Sequence, residues 1–104
     1  MTKKRLNQYK YLKRELAELS QKATQAASKR IPTLQQEITE IEAFINGIQR
    51  SDIRMIFHYR YEKGLSWKEL SKKIYGYVCE QTPQKAAYRY LKKEQSEHDY
   101  SRRL

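Results

Sequence analysis

Glycine and proline are scarce in this chain, three and two among 104 residues. So few turn residues exclude collagen-like repeats, Gly- or Pro-rich linkers and most all-β sandwiches. Cysteine occurs once, at Cys79, so no disulfide can close within the chain. A reducing, cytoplasmic setting is the expectation. Long apolar runs are missing as well. Ala43-Phe44-Ile45 and Met55-Ile56-Phe57 are the densest patches, far short of the ~20 residues of a membrane span. No apolar stretch follows the basic start Met1–Arg5, so no secretory signal is expected. His58 and His98 lie far apart and Cys79 stands alone, which leaves no zinc-ligand spacing. Neither a Gly-rich phosphate loop nor a nucleophile motif occurs. Asp52 and Glu62 read as helix-end charges rather than a catalytic pair. No metal, no cofactor and no enzymatic activity are expected.

What the chain has is positive charge and helix formers. Lys and Arg number 22 against 12 Asp and Glu, a formal +10. Lys, Glu, Gln, Leu and Arg are abundant and favour helix. A mean hydropathy of −1.01 fits short helices, each with one apolar face over a thin core. The charge is uneven. Residues 1–30 hold nine basic and two acidic side chains, 31–50 one and three, and 51–104 twelve and seven. Two basic blocks flanking an acidic helix suggest a polyanionic partner.

Apolar spacing predicts an all-α fold with five helices, near residues 4–28, 33–49, 52–62, 67–75 and 83–95. Leu6, Tyr9, Leu12, Leu16, Leu19, Ala23 and Ala26 form one stripe of a long first helix. Ile31-Pro32 is expected to stop it, since Pro pushes its predecessor out of the α region. Thr33 and Gln36 then resemble a capping box that starts a second helix. Leu34, Ile38, Ile41, Ile45 and Ile48 give that helix its seam. Two such stripes make an antiparallel hairpin over residues 1–50, narrow enough that homodimerisation is expected of it. A membrane-surface role for the first helix is disfavoured, because its stripe ends in Ala and carries neither Trp nor Phe.

Residues 51–95 read as a helix-turn-helix unit, and 96–104 as a polar tail. Ser51 is expected to cap the third helix, with Asp52 in its first turn. Ile53, Ile56, Phe57 and Tyr61 line the inner face, and Gly64 ends the helix. Leu65-Ser66-Trp67-Lys68-Glu69-Leu70 is the strongest local signal. Ser66 and Glu69 match a capping box, while Leu65 and Leu70 match the hydrophobic staple. Leu65, Trp67, Leu70 and Ile74 are therefore the expected helix-turn-helix core. A stop follows at Tyr75-Gly76. Thr82-Pro83 restarts helix, with Thr as N-cap and Pro at the first helical position.

The last helix carries Gln84, Lys85, Tyr88 and Arg89, and these are the expected base-reading residues. Gln and Arg match adenine and guanine edges in the major groove. Lys72, Lys73, Lys92 and Lys93 are placed to neutralise flanking phosphates. Of the nine Tyr, most are expected in the core or its rim, with Tyr88 facing DNA.

Arg60-Tyr61-Glu62-Lys63-Gly64-Leu65-Ser66-Trp67-Lys68-Glu69-Leu70 resembles the Arg-Tyr-x-x-Gly-Leu-Ser-x-x-Glu-Ile/Leu stretch of the C-terminal DNA-binding region of bacterial sigma factors. The layout as a whole resembles small phage and prophage transcriptional regulators of the ArpU and RinA type. The resemblance implies promoter DNA as partner, read by the helix from Thr82 to Lys93. It also implies contact with RNA polymerase and a place in the bacterial host cytoplasm. Two departures stand out. The Gly76–Gln81 turn is longer than the sigma-type turn, and Ala86 or Ala87 occupies the usual Val position. Tyr77 and Val78 are expected to fill the space this leaves. A DNA-packaging adaptor of the small-terminase kind, oligomerised by its hairpin, is the alternative reading. A non-DNA protein-interaction module is the third.

Overall fold

The computed structural model describes the backbone of residues 1–22 and 24–103, and side chains up to Glu94 except Ala23. The fold is all-α: α1 (Lys3–Gln21), α2 (Gln25–Asn46), α3 (Ser51–Phe57), one π-helical turn (His58–Glu62), α4 (Trp67–Tyr75) and α5 (Gln81–Arg103). No strand occurs among the described residues.

α1 and α2 run antiparallel. Arg5 pairs with Glu40 at 2.6 Å and Glu15 with Arg30 at 3.0 Å, so one position advances as the other recedes. The chain must then reverse between the end of α1 at Gln21 and the start of α2 at Gln25, not at Pro32 as the sequence suggests. Lys22 leaves α1 in an extended conformation, its N–H still bonded to the Leu19 carbonyl. Thr24 caps α2, its hydroxyl accepting the Ala27 N–H at 3.2 Å. Pro32 falls inside α2 and Thr33 is no N-cap. A helix-interior Pro loses a backbone bond and crowds the preceding turn. Burial of Ala27 before it and Leu34 after it holds the helix continuous there. Ala26 moves from the first helix to an exposed site on α2, and Ala23 lies outside the described residues.

The expected α2 seam is buried, but the helix ends at Asn46 rather than near residue 49, so Ile48 lies just beyond it. Leu34, Ile38, Ile41, Ile45 and Ile48 are all buried. On α1 the stripe divides. Leu6 and Tyr9 are buried, whereas Leu12, Leu16 and Leu19 are only half-buried.

One core spans the chain. Leu6, Tyr9, Ile38, Ile41 and Ile45 of the hairpin join Ile53, Ile56, Phe57, Tyr61, Leu70, Ala87 and Leu91 in one cluster. Phe57 is at its centre, fully buried, with Phe44, Tyr61 and Tyr90 rings 5.6–6.0 Å away. Such tilted and edge-on ring contacts are the favoured geometry for aromatic pairs.

Several boundaries shift. Ser51 is the first residue of α3 and not its cap; Arg50 precedes it without a side-chain cap bond and instead grips Asp52 at 2.8 Å. The expected 52–62 helix widens after Phe57, where the Lys63 N–H reaches the His58 carbonyl. α5 begins at Gln81, so Thr82 lies within its first turn rather than capping it. Pro83 is buried there, in the turn where a missing N–H is tolerated. α5 also continues through the expected tail to Arg103.

Candidate nucleic-acid interface

Local chemistry fixes both ends of α4, its entry from the π turn and its exit toward α5. Gly64, at φ +73°, turns the chain out of the π segment, and the Leu65 N–H reaches back to the Tyr59 carbonyl at 3.0 Å. Arg60 reinforces this exit by donating to the Leu65 carbonyl at 3.0 Å. The Ser66 hydroxyl accepts the Glu69 N–H at 3.1 Å and donates to the Glu69 carboxylate at 3.0 Å. Ser66 is thus the N-cap expected from the sequence, with the Glu69 carboxylate bonded to the Ser66 hydroxyl in place of the backbone N–H of a full capping box. Gly76, at φ +85°, closes α4 with its N–H on the Lys72 carbonyl. Left-handed backbone of this kind favours Gly because it has no Cβ.

Ser71 does the rest, and the sequence reading passed over it. Its hydroxyl is fully buried, donates to the Lys68 carbonyl at 2.8 Å and accepts the Cys79 N–H at 3.0 Å. The bond ties the far end of the turn to α4. A polar residue on the same inner face as Trp67, Leu70 and Ile74 was the signal for it. Leu70 is fully buried, and Leu65, Trp67 and Ile74 pack partly buried against the core.

α5 presents a basic stripe. Pro83, Ala87 and Leu91 face inward, and Lys85, Arg89, Lys92 and Lys93 are exposed. Lys72 and Lys73 are exposed at the end of α4, where positive charge also suits the helix dipole. The Lys73 ammonium lies 5.0 Å from the Tyr59 ring centre, toward the π turn.

The four expected base readers are not equivalent. Lys85 and Arg89 stand on the open face. Gln84 and Tyr88 are half-buried on its flank. The Gln84 amide donates to the Tyr88 hydroxyl at 3.3 Å. The Tyr88 ring meets the Trp67 ring edge-on at 6.1 Å and carries the Lys3 ammonium 4.6 Å from its centre. Arg60 covers the other aromatic, 4.7 Å from the Trp67 ring. A cation–aromatic series thus runs from Lys3 of α1 across α5 and α4 to Arg60. The α-amino group of Met1 approaches the Glu94 carboxylate at 3.8 Å, so α1 starts against α5. The basic first turn of α1 therefore lies beside the basic stripe of α5.

An open groove of about 670 Å³ borders the stripe at Arg89 and Lys93. Ile53, Ile56 and Ala86 are among its apolar lining residues; Arg50, Arg89, Lys93 and Tyr75 are among the polar ones. Burial, with help from Cys79 and Asp52, pushes the Tyr75 hydroxyl above its ordinary range. Among the described residues no group of His, Cys, Asp or Glu is placed to hold a metal ion. None of their helices is long and apolar enough to cross a membrane.

Tyr77 and Val78 do not fill the space between α4 and α5. They point to solvent with 63% and 49% of their surface exposed. Ala87, at the position of the usual Val, is fully buried in the core cluster with Leu70. No family model, no curated protein and no solved structure matches the chain.

Proposed function

We propose that this chain is a sequence-specific binder of double-stranded DNA that regulates transcription, and not an enzyme. The observation that supports it best is the exposed stripe Lys85–Arg89–Lys92–Lys93 on a helix whose opposite face is buried. Such a helix can enter the major groove, where Arg offers a bidentate match to guanine. Lys72, Lys73, Lys92 and Lys93 serve as phosphate contacts, and each displaces condensed counterions from the duplex. Gln84 and Tyr88 act at the edge of the reading face, where Trp67 and Lys3 orient the Tyr88 ring. The sigma-like stretch extends this reading to a phage-encoded regulator in a bacterial cytoplasm that touches RNA polymerase at its promoter.

The half-buried Leu12, Leu16 and Leu19 favour a second component, self-association through the hairpin. A dimer suits a regulator, whereas a larger ring suits a packaging adaptor. Mobility-shift titration with random competitor DNA over a range of salt tests the DNA reading. Binding that weakens steeply with salt and discriminates among sequences supports it. Absence of binding at low salt refutes it. Light scattering on the same sample separates dimer from ring.

A further inference from the structure

Tyr77 and Val78 are apolar side chains held in water, on a turn that is far from loose. Gly76 fixes one end of the turn by its left-handed backbone, and the bond from Cys79 to buried Ser71 fixes the other. The Tyr77 ring lies 6.3 Å from that of Tyr75. Tyr75 in turn lines the same groove as Arg89 and Lys93. The exposed pair is thus carried at the N-terminal end of α5, next to the side of that helix bearing Arg89. Two apolar residues kept outward by a pinned turn forgo burial that a looser turn would gain.

We propose that Tyr77 and Val78 form the apolar part of the interface and contact thymine C5-methyl groups in the major groove. The proposal rests on the DNA-binding reading above. The residues around the pair specify the occupant. Lys72 and Lys73 precede it, and Lys85 and Arg89 follow it, all exposed, so the partner is polyanionic. Glu80, exposed in the same turn, disfavours close approach of a phosphate and so turns the pair toward base edges. The thymine methyl is the apolar group that the major groove displays there. A recognition helix places its N-terminal residues against the base edges, and this turn immediately precedes them.

Fluorescence anisotropy with three short duplexes tests the proposal. One is alternating A·T, the second is identical with uracil in place of thymine, and the third is G·C. The first two differ only in the C5-methyl groups. The wild type is expected to bind A·T about four- to fifteenfold more tightly than A·U, the effect of one or two buried methyl groups. Tyr77→Ser with Val78→Ser should bind A·T and A·U alike, at the wild-type A·U affinity. Tyr77→Phe, which keeps the ring, should retain the preference. A wild type that binds A·T and A·U equally overturns the proposal while leaving DNA binding intact. So does a serine variant that keeps the preference. Failure to bind all three duplexes at low salt removes the DNA reading itself, and this proposal with it.

Discussion

The two ends of the helical hairpin are held in different ways. At its base, Leu6 and Tyr9 meet Ile38, Ile41 and Ile45 within the same core as Phe57 and Leu70. Toward the tip, Leu12, Leu16 and Leu19 remain half-exposed, and the Arg30–Glu15 pair is on the surface. The base is thus part of the unit that carries α5, whereas Leu12 and Leu16 only border that core, partly buried, and Leu19 lies beyond it. Two helices cannot cover each other's stripes fully, and isolated short helices are marginal in water. The base is ordered together with α5, and the half-buried leucines toward the tip are the surface on which the proposed self-association rests.

Disruption of the shared core should have the largest effect. Phe57→Ala is expected to cost ~3–5 kcal/mol and to unfold hairpin base and α5 together in one transition. Two separate transitions in a denaturant titration would break the comparison. At the tip the expectation reverses. Pro32→Ala restores a helical N–H and relieves crowding, so it should stabilise the hairpin by ~1–3 kcal/mol, read as a higher denaturation midpoint. Leu16→Asp should leave the helical unit folded and abolish self-association in sedimentation, whereas Ile41→Asp, with its side chain in the core, should unfold it.

Smaller effects come from titration. Burial, reinforced by nearby Tyr88, pushes the Tyr61 hydroxyl from 10.0 up to about 12. The folded state therefore resists its ionisation. The stability this confers is complete below pH 10 and is lost as pH rises through about 12. Tyr61→Phe should flatten that alkaline decline. The least effect belongs to Glu40, whose carboxyl the Arg5 hydrogen bond holds below its ordinary range. Its contribution is present above the unfolded carboxylate range and fades as pH falls through the lowered value. Arg5→Ala should remove that dependence by lowering stability slightly at neutral pH while leaving it unchanged in acid.

What could be read from the sequence was decided by neighbours close along the chain. Ser66 caps α4 and bonds Glu69 across one turn, and Gly64 and Gly76 supply the left-handed backbone at the ends. The α2 seam needs only helical spacing. Pro32 misled because its local preference is strong, while the contacts that override it, Ala27 and Leu34 in the interior, are tertiary. Thr24 caps without the acidic partner that would have advertised it. The same division governs the binding face. Lys85 and Arg89 lie outward because Ala87 and Leu91 lie inward, a matter of period alone. Gln84 and Tyr88 are drawn to the flank by Trp67 and by Lys3 from the opposite end of the chain. The small Ala86 and Ala87 suggest a space for Tyr77 and Val78 to fill, yet both are exposed. The buried hydroxyl of Ser71 shapes the turn that leaves them out.

The central claim is that the open face of α5 binds duplex DNA, supported by a core that reaches into the hairpin. Its most direct test is the affinity of Lys85→Ala with Arg89→Ala for a duplex selected by the wild type from a random pool. Both side chains are exposed, so the fold should be unchanged. The account predicts a loss of ~2–5 kcal/mol in binding and relaxed sequence preference, while Lys92→Ala weakens all sequences alike and lowers the salt slope by about one ion. A folded double variant that keeps wild-type affinity and selectivity would contradict it, and the basic start of α1, Lys3 to Arg14, would then be the surface to examine.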